Sequence, residues 1–296
     1  MKIFIKKAVP GAWEHINIGY ENAFKYFGFE CYYYNNLSEL LLEENFYLFS
    51  SDSDLIDNDS LKILKKANKI FLFIMPNKFP KHWGQHQNWL SSCRIDFKEL
   101  NEMNNLVKWT FLEQCPYFYK WLNYLTLPLA FDDFRYKEEK DENFKFDVCY
   151  VGGWADNGFD EKRKNMINHF SRLKKSNLNC GIFINKNISK TDENKLLTNS
   201  KISLNIHDNY QRELGLDTNE RTFKGLGLNG ILVSDKVQQI EKISKNVKMS
   251  NDFDEYLEII LQILKDPYIE DIRQENKKNI LKNHTYKNRV QELLNV

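Results

Sequence analysis

The residues best suited to chemistry lie between positions 200 and 235. A buried-strand pattern ending in His207 is followed there by a polar loop, the run Thr218-Asn219-Glu220-Arg221-Thr222-Phe223-Lys224, a Gly-rich turn and a second apolar strand. The run reads as a helix start, with Thr218 or Asn219 as its cap. The first N–H groups of a helix have no partner inside it, so together they attract anions. Arg221 adds a guanidinium that can hold a phosphate through two parallel hydrogen bonds. A diphosphate suits this combination; the plainer reading is a capped helix with a solvated arginine.

Other residues could share that chemistry. Gly152-Gly153 follows a strand end, where two glycines let a ligand approach the backbone closely, although no G-x-G-x-x-G fingerprint is present. Pro10-Gly11 follows the first strand, and in an open sheet such a loop faces the ligand crevice. His15, just beyond Gly11, is then a candidate general base, against the commoner reading of a lone surface histidine. Asp52 and Asp54 follow the third strand at the same sheet edge; either is a candidate base, or both belong to a solvated acidic loop. Asp96 is a weaker version of that idea. His207 could donate to a phosphate or sugar hydroxyl, or hold a loop carbonyl. His82 and His86 share a helix face but have no third ligand, so a zinc site is not expected. The aromatic residues between 76 and 125 read mostly as core, with a minority able to stack on a sugar or a base.

The elements that must position these residues alternate. Strand patterns fall at 2–7, 31–34, 47–50 and 69–75, with helical spacing at 13–27, at 38–44 under a Ser38 cap, and at 61–67. A connection is expected over 127–142. Strands then recur at 144–151, 180–184, 201–206 and 230–234. The intervening and following helices fall at 160–173, 190–199 (capped near Thr191 or Asp192), 219–228, 253–264 and 268–295. Such alternation predicts parallel α/β sheets, and two successive α/β halves leave a cleft suited to a ligand.

Bulk properties narrow the field. A chain of 296 residues is long enough for about two domains. Lys plus Arg number 42 against 41 Asp plus Glu, which argues against a protein built mainly to coat nucleic acid. The five cysteines are scattered without a C-x-x-C pair, so neither a disulfide framework nor a zinc site is expected. No signal peptide and no membrane-length apolar run is read, and a cytoplasmic protein is the expectation.

The order of motifs resembles the CgeB-like (spore-maturation-type) glycosyltransferases of the GT-B superfamily. The matching stretches are Asp147-Val148-Cys149-Tyr150-Val151-Gly152-Gly153, residues 200–207, Asn219-Glu220-Arg221-Thr222-Phe223 running to Gly230-Ile231-Leu232-Val233-Ser234-Asp235, then His284-Thr285-Tyr286 with Arg289, and the linker Leu127-Pro128-Leu129-Ala130-Phe131-Asp132. The resemblance implies an α/β, GT-B-like fold of two Rossmann-like domains facing across a cleft. Residues 1–130 would form the acceptor-binding domain, and 131–296 the nucleotide-sugar-binding domain, its C-terminal helix crossing back to the first. It implies transfer of a sugar from a nucleoside diphosphate, UDP above all, without an obligate metal or other cofactor. Gly11, Gly152, Gly153, His207, Asn219, Glu220, Arg221, Thr222 and Lys224 would line the donor site, with His15 or Asp52 as base. The acceptor stays open: a glycan, a protein, a small molecule or modified DNA. Alternatives are a viral-type glycosyltransferase acting on hydroxymethyl-pyrimidine bases, and a non-catalytic nucleotide-sugar- or glycan-binding protein. Two positions depart from the family pattern. Lys224 stands where a ribose-binding Glu is usual, and Asn229-Gly230 replaces Cys-Gly. Lys224 could contact a phosphate instead, or Glu220 could take the ribose role.

Overall fold

The computed structural model describes residues 1–8, 11–80, 89–154, 161–186 and 188–296. The His82 and His86 pair and Pro10 lie outside the described residues. The chain forms two compact units, Met1–Pro128 with Tyr286–Val296, and Leu129–Thr285.

The first unit runs β1 (Lys2–Lys6), α1 (Ala12–Tyr26), β2 (Glu30–Tyr34), β3 (Phe46–Ser51), α2 (Asn58–Lys66), β4 (Lys69–Phe73), α3 (Phe97–Glu102), β5 (Leu106–Thr110) and β6 (Leu125–Thr126). Its sheet has the order β2-β1-β3-β4-β5-β6, and every pairing is parallel. β4 reads Lys-Ile-Phe-Leu-Phe and is buried beyond its first residue, as a central strand covered on both faces must be. α1 turns Ile16, Tyr20, Ala23 and Phe24 inward. Tyr20 packs with Phe49, Trp109 and Tyr286 at ring-centroid distances of 4.7, 5.1 and 5.1 Å. Gly19 lets Tyr286 come that close, because a β-carbon at 19 would fall 2.4 Å from its ring. The expected helix over 38–44 is instead a single 3-10 turn, Leu37–Leu40, opened by an Asn36–Glu39 capping box. Much of the aromatic stretch is core: Phe79, Trp109, Phe118 and Trp121 are buried.

The second unit runs β7 (Val148–Gly152), α4 (Glu161–Lys175), β8 (Cys180–Ile184), α5 (Lys190–Asn199), β9 (Ile202–Asn205), α6 (Asn209–Leu214), α7 (Glu220–Lys224), β10 (Leu232–Ser234), α8 (Gln239–Ile243), β11 (Lys248–Met249), α9 (Phe253–Ile263) and α10 (Ile269–Asn283). Its parallel sheet has the order β11-β10-β9-β7-β8. Alternate residues feed opposite cores, the period-2 rule of a strand. Val148 and Tyr150 join Met166, Leu204, Tyr256 and Ile260 on one side. Cys149 joins Leu196, Phe223, Leu226, Ile240 and Ile280 on the other. The helix expected over 219–228 is α7 continued by a π-helical turn, Gly225–Asn229. Asn229 is fully buried and clips the turn shut. Its amide donates to the carbonyls of Leu197 and Ser200 (2.9 and 2.5 Å), and its carbonyl accepts from the Ile231 amide (3.0 Å).

The single helix expected over 268–295 is two, because the chain straightens at His284 and Thr285. Thr285 bridges to Phe131 as a short parallel pairing, and the Phe131 amide donates to His284 (2.8 Å). The last helix, α11 (Tyr286–Leu294), belongs to the first unit, where Arg289 Nε donates to the Pro128 carbonyl (2.7 Å) and Leu294 accepts from Lys69 Nζ (3.4 Å).

Candidate functional site

β7, β9 and β10 are neighbours, so residues at their carboxyl ends meet: Gly152 closes β7, Asn205 closes β9 with His207 two residues on, and Asp235 follows β10. Ligands of open parallel sheets bind at that edge. Arg221, one residue into α7, reaches back to it. Its Nε donates to Asn205 Oδ1 (3.1 Å), its Nη2 donates to the Ile206 carbonyl (2.9 Å), and its guanidinium lies 5.3 Å from the centre of the Tyr150 ring. The remaining edge, Nη1, occupies the space a side chain at Gly152 would take: a β-carbon there would sit 2.5 Å from it. Gly152 is therefore a requirement of Arg221. The Gly153 carbonyl accepts from the Tyr150 hydroxyl (3.4 Å).

Asn219 occupies the cap position of α7, but its side chain makes no capping bond. Both polar atoms of its amide are buried and without a hydrogen-bond partner among the described residues. Buried amides are nearly always paired, so this one is an opening for a ligand or a water. Thr218 does not cap either. Its hydroxyl lies between His207 Nε2 (2.8 Å) and the Thr222 hydroxyl (2.6 Å), and its backbone N–H donates to Gln239 (2.9 Å).

His207 is fully buried, with Nδ1 on Asp235 Oδ1 (2.5 Å) and Nε2 on Thr218, so both ring nitrogens are committed to neighbouring side chains. Burial works against the charged form of Asp235, but His207 and the Arg212 guanidinium outweigh it and hold the carboxyl below its usual range. The Thr222 hydroxyl is likewise taken, by Thr218 and by Asn205 Nδ2 (2.9 Å). Lys224 lies over the Tyr136 ring, 3.3 Å from Glu193 and 3.6 Å from Glu220. Burial disfavours its charge, yet the two carboxylates more than compensate and raise its pKa. Glu220 and Lys224 are thus partners of each other.

In the first unit Gly11 caps α1 at φ 132°, a backbone angle natural to glycine, and His15 is exposed on the first turns of that helix. Asp52 and Asp54 are not the solvated loop expected as one alternative. They sit in a 3-10 turn at the end of β3. Asp54 accepts from Lys6 (2.6 Å), Tyr34 (2.9 Å) and Ser50 (2.9 Å). Asp52 is fully buried and accepts from the Met75 amide (3.1 Å). Burial pushes its carboxyl up to about 7 against the opposing pull of Ser91 and that amide. Asp96 caps α3 by accepting from the Lys98 amide (3.0 Å). Among the described residues no cluster of His, Cys, Asp and Glu could hold a metal ion, and no helix is long and apolar enough to cross a membrane.

Residues 141–295 match the family model described as glycosyl transferase-like. The chain belongs to that family. This glycosyltransferase matches no protein of curated function by sequence. It shares its fold with solved structures at low identity. An alpha-glucosyltransferase in complex with UDP and a 13-mer DNA containing a central A:G mismatch matches at TM-score 0.56 and 10% identity over 99% of both chains. An alpha-glucosyltransferase in complex with UDP matches at 0.53 and 10%, again over 99% of both. A GtfA/B complex matches at 0.50 and 9%, over 88% of this chain and 59% of that one. Two parallel-sheet α/β units of this kind are the architecture of the GT-B glycosyltransferases.

Asn205 and Asp235 escaped the sequence reading. Each is a polar residue at the end of an apolar strand, and that position was the available signal.

Proposed function

We propose that this glycosyltransferase takes its sugar from a UDP-sugar, that Leu129–Thr285 is the nucleotide-binding unit, and that the chain is of the CgeB-like branch. The observation that carries the reading is the Arg221 guanidinium. Two hydrogen bonds hold it at the carboxyl end of β9, and its third edge, beside Gly152 at the end of β7, takes no hydrogen bond among the described residues. A diphosphate there would meet a charge-assisted donor and, at the start of the helical run, the unpartnered Asn219 amide. The solved structures of the same fold that contain UDP support the choice of nucleotide.

In the transfer, an acceptor heteroatom bonds to the anomeric carbon as the bond from that carbon to the β-phosphate oxygen breaks. Arg221 stabilises the charge that grows on the leaving diphosphate, with no metal required. The acceptor proton goes to a base in the first unit, to which we assign acceptor binding. His15 is our choice because it reaches solvent, whereas Asp52 is enclosed. Gly11 would shape the loop beside it. Thr222 and His207 would serve the donor site through Arg221 rather than by touching the ligand.

A thermal-shift screen against UDP, GDP, ADP and CDP tests the reading, since a ligand that binds only the folded state raises the transition. UDP should raise it and Arg221→Ala should shrink the shift without removing it; no shift with any of the four sinks the proposal. Release of UDP from UDP-sugars tests for catalysis. Duplex DNA belongs in the acceptor panel because a structure of the same fold was solved with DNA.

A further inference from the structure

Arg221 is held by Asn205, and Asn205 is itself part of a buried chain of side chains that ends at Asp235. The contacts run Arg221 Nε to Asn205 Oδ1 (3.1 Å), Asn205 Nδ2 to Thr222 Oγ1 (2.9 Å), Thr222 Oγ1 to Thr218 Oγ1 (2.6 Å), Thr218 Oγ1 to His207 Nε2 (2.8 Å) and His207 Nδ1 to Asp235 Oδ1 (2.5 Å). Asn205, His207, Thr222 and Asp235 are fully buried, and Thr218 nearly so.

The two ends allow one continuous direction for the protons between them. A guanidinium only donates, so Asn205 must present its carbonyl to Arg221 and its amide N–H to Thr222. Thr222, having accepted, donates to Thr218, which donates to His207 Nε2. In that direction the nitrogen is bare and the ring carries its proton on Nδ1. From there it donates to a carboxylate that only accepts. The Asp235 carboxylate also accepts from the His207 backbone amide (2.8 Å) and lies 3.6 Å from Arg212, so its lone pairs are well used. A chain in which each hydroxyl both accepts and donates is mutually reinforcing.

We propose that Asp235, His207, Thr218 and Asn205 are positioning residues that orient the Arg221 guanidinium, so that its free edge faces the donor diphosphate without being reoriented during transfer. The proposal rests on the assignment of Arg221 to the donor. None of the four need touch the ligand. Asp235 acts on Arg221, packed against Gly152, through His207, the two threonine hydroxyls and Asn205, and Asn205 Nδ2 also lies 3.3 Å from His207 Nε2. Such a shell keeps a catalytic group within a fraction of an ångström of its working place.

The test separates this proposal from the one it rests on. Nitrogen NMR of the ligand-free protein should show His207 protonated at Nδ1 and bare at Nε2; the opposite tautomer, or a doubly protonated ring at neutral pH, overturns the relay whether or not UDP binds. Thr218→Val removes the hydroxyl at nearly constant volume, and Thr218→Ser restores it. UDP affinity, measured by titration calorimetry, should fall about tenfold in the Val variant and stay within twofold in the Ser variant. In an Arg221→Ala background the same Val substitution should change affinity less than twofold, since there is no guanidinium left to position. An equal loss in both backgrounds, or a Val variant that binds like the wild type, refutes the proposal. Should Thr218→Val melt too low to assay, Asp235→Asn with its His207 tautomer serves instead. The tautomer should then reverse, as an amide at 235 can donate where the carboxylate accepted, and an unchanged tautomer overturns the direction assigned to the chain.

Discussion

Replacing Gly152 by Ala perturbs the guanidinium without touching its charge. The added carbon would lie 2.5 Å from Arg221 Nη1 and 3.0 Å from the Tyr150 hydroxyl. Non-bonded atoms of this kind settle about 3.5 Å apart, so the guanidinium must retreat by roughly 1 Å. It cannot do so while keeping both anchors, Asn205 Oδ1 at 3.1 Å and the Ile206 carbonyl at 2.9 Å. Hydrogen bonds to charged groups contribute about 1.5–3 kcal/mol each. A misplaced donor to the leaving diphosphate should then weaken UDP binding by roughly 10- to 100-fold, about 1.4–2.8 kcal/mol. Because one preorganised donor is worth on the order of 10²–10³ in rate, turnover of a UDP-sugar should fall further still. Titration calorimetry with UDP reads the first effect, and release of UDP reads the second. The far-UV circular dichroism spectrum should not change. If Gly152→Ala binds UDP within twofold of the wild type while Arg221→Ala binds it at least tenfold more weakly, the position of Arg221 is not what matters and the steric argument is wrong.

Burial raises both Asp52 and Asp217 to about 7. Between the unfolded value near 3.9 and that point the native state holds the extra proton, so stability is full at low pH and declines as pH rises through 7, by up to roughly 4 kcal/mol per group. Asp217→Asn should shrink the difference between urea transitions at pH 5 and pH 8, leaving the share of Asp52; an unchanged difference refutes the assignment. Lys224→Glu should destabilise by about 3–5 kcal/mol by setting a third carboxylate between Glu193 and Glu220. Urea denaturation checks this, and wild-type stability would show that the ion pairs carry nothing. Gly19→Ala should cost about 1–3 kcal/mol because its β-carbon meets the Tyr286 ring at 2.4 Å. Combining it with Tyr286→Leu should cost less than the two changes separately, and strict additivity in melting experiments would deny the contact.

The parallel alternation was legible because β8 and α5 have uninterrupted local patterns, and both lie where their spacing predicts. β5 was not: Lys108 interrupts Leu-Val-Lys-Trp-Thr, and only the structure shows it buried against Asn101 (2.9 Å). α6 reads as a polar loop in the sequence because Asn209, Tyr210 and Gln211 are buried by hydrogen bonding and packing rather than by an apolar stripe. The break before α11 has no Gly or Pro to announce it; a pairing with distant Phe131 makes it. In the site, Arg221 could be singled out because its charge falls at a helix start. Asn205 and Asp235 could not be linked to it, since that requires knowing that β10, β9 and β7 lie side by side, and strand order is not a local property.

The membership of α11 in the first unit bears on how the chain matures. Tyr286, whose ring fills the notch at Gly19, is separated from the rest of its unit by the whole of Leu129–Thr285. At ordinary translation rates those residues take on the order of ten seconds to synthesise. Throughout that interval the newborn first unit presents an apolar face around Tyr20 that nothing of its own can yet cover. All six strands of its sheet are made by Thr126, yet its last core helix is the final one of the chain, so the earliest-made half is the last to close.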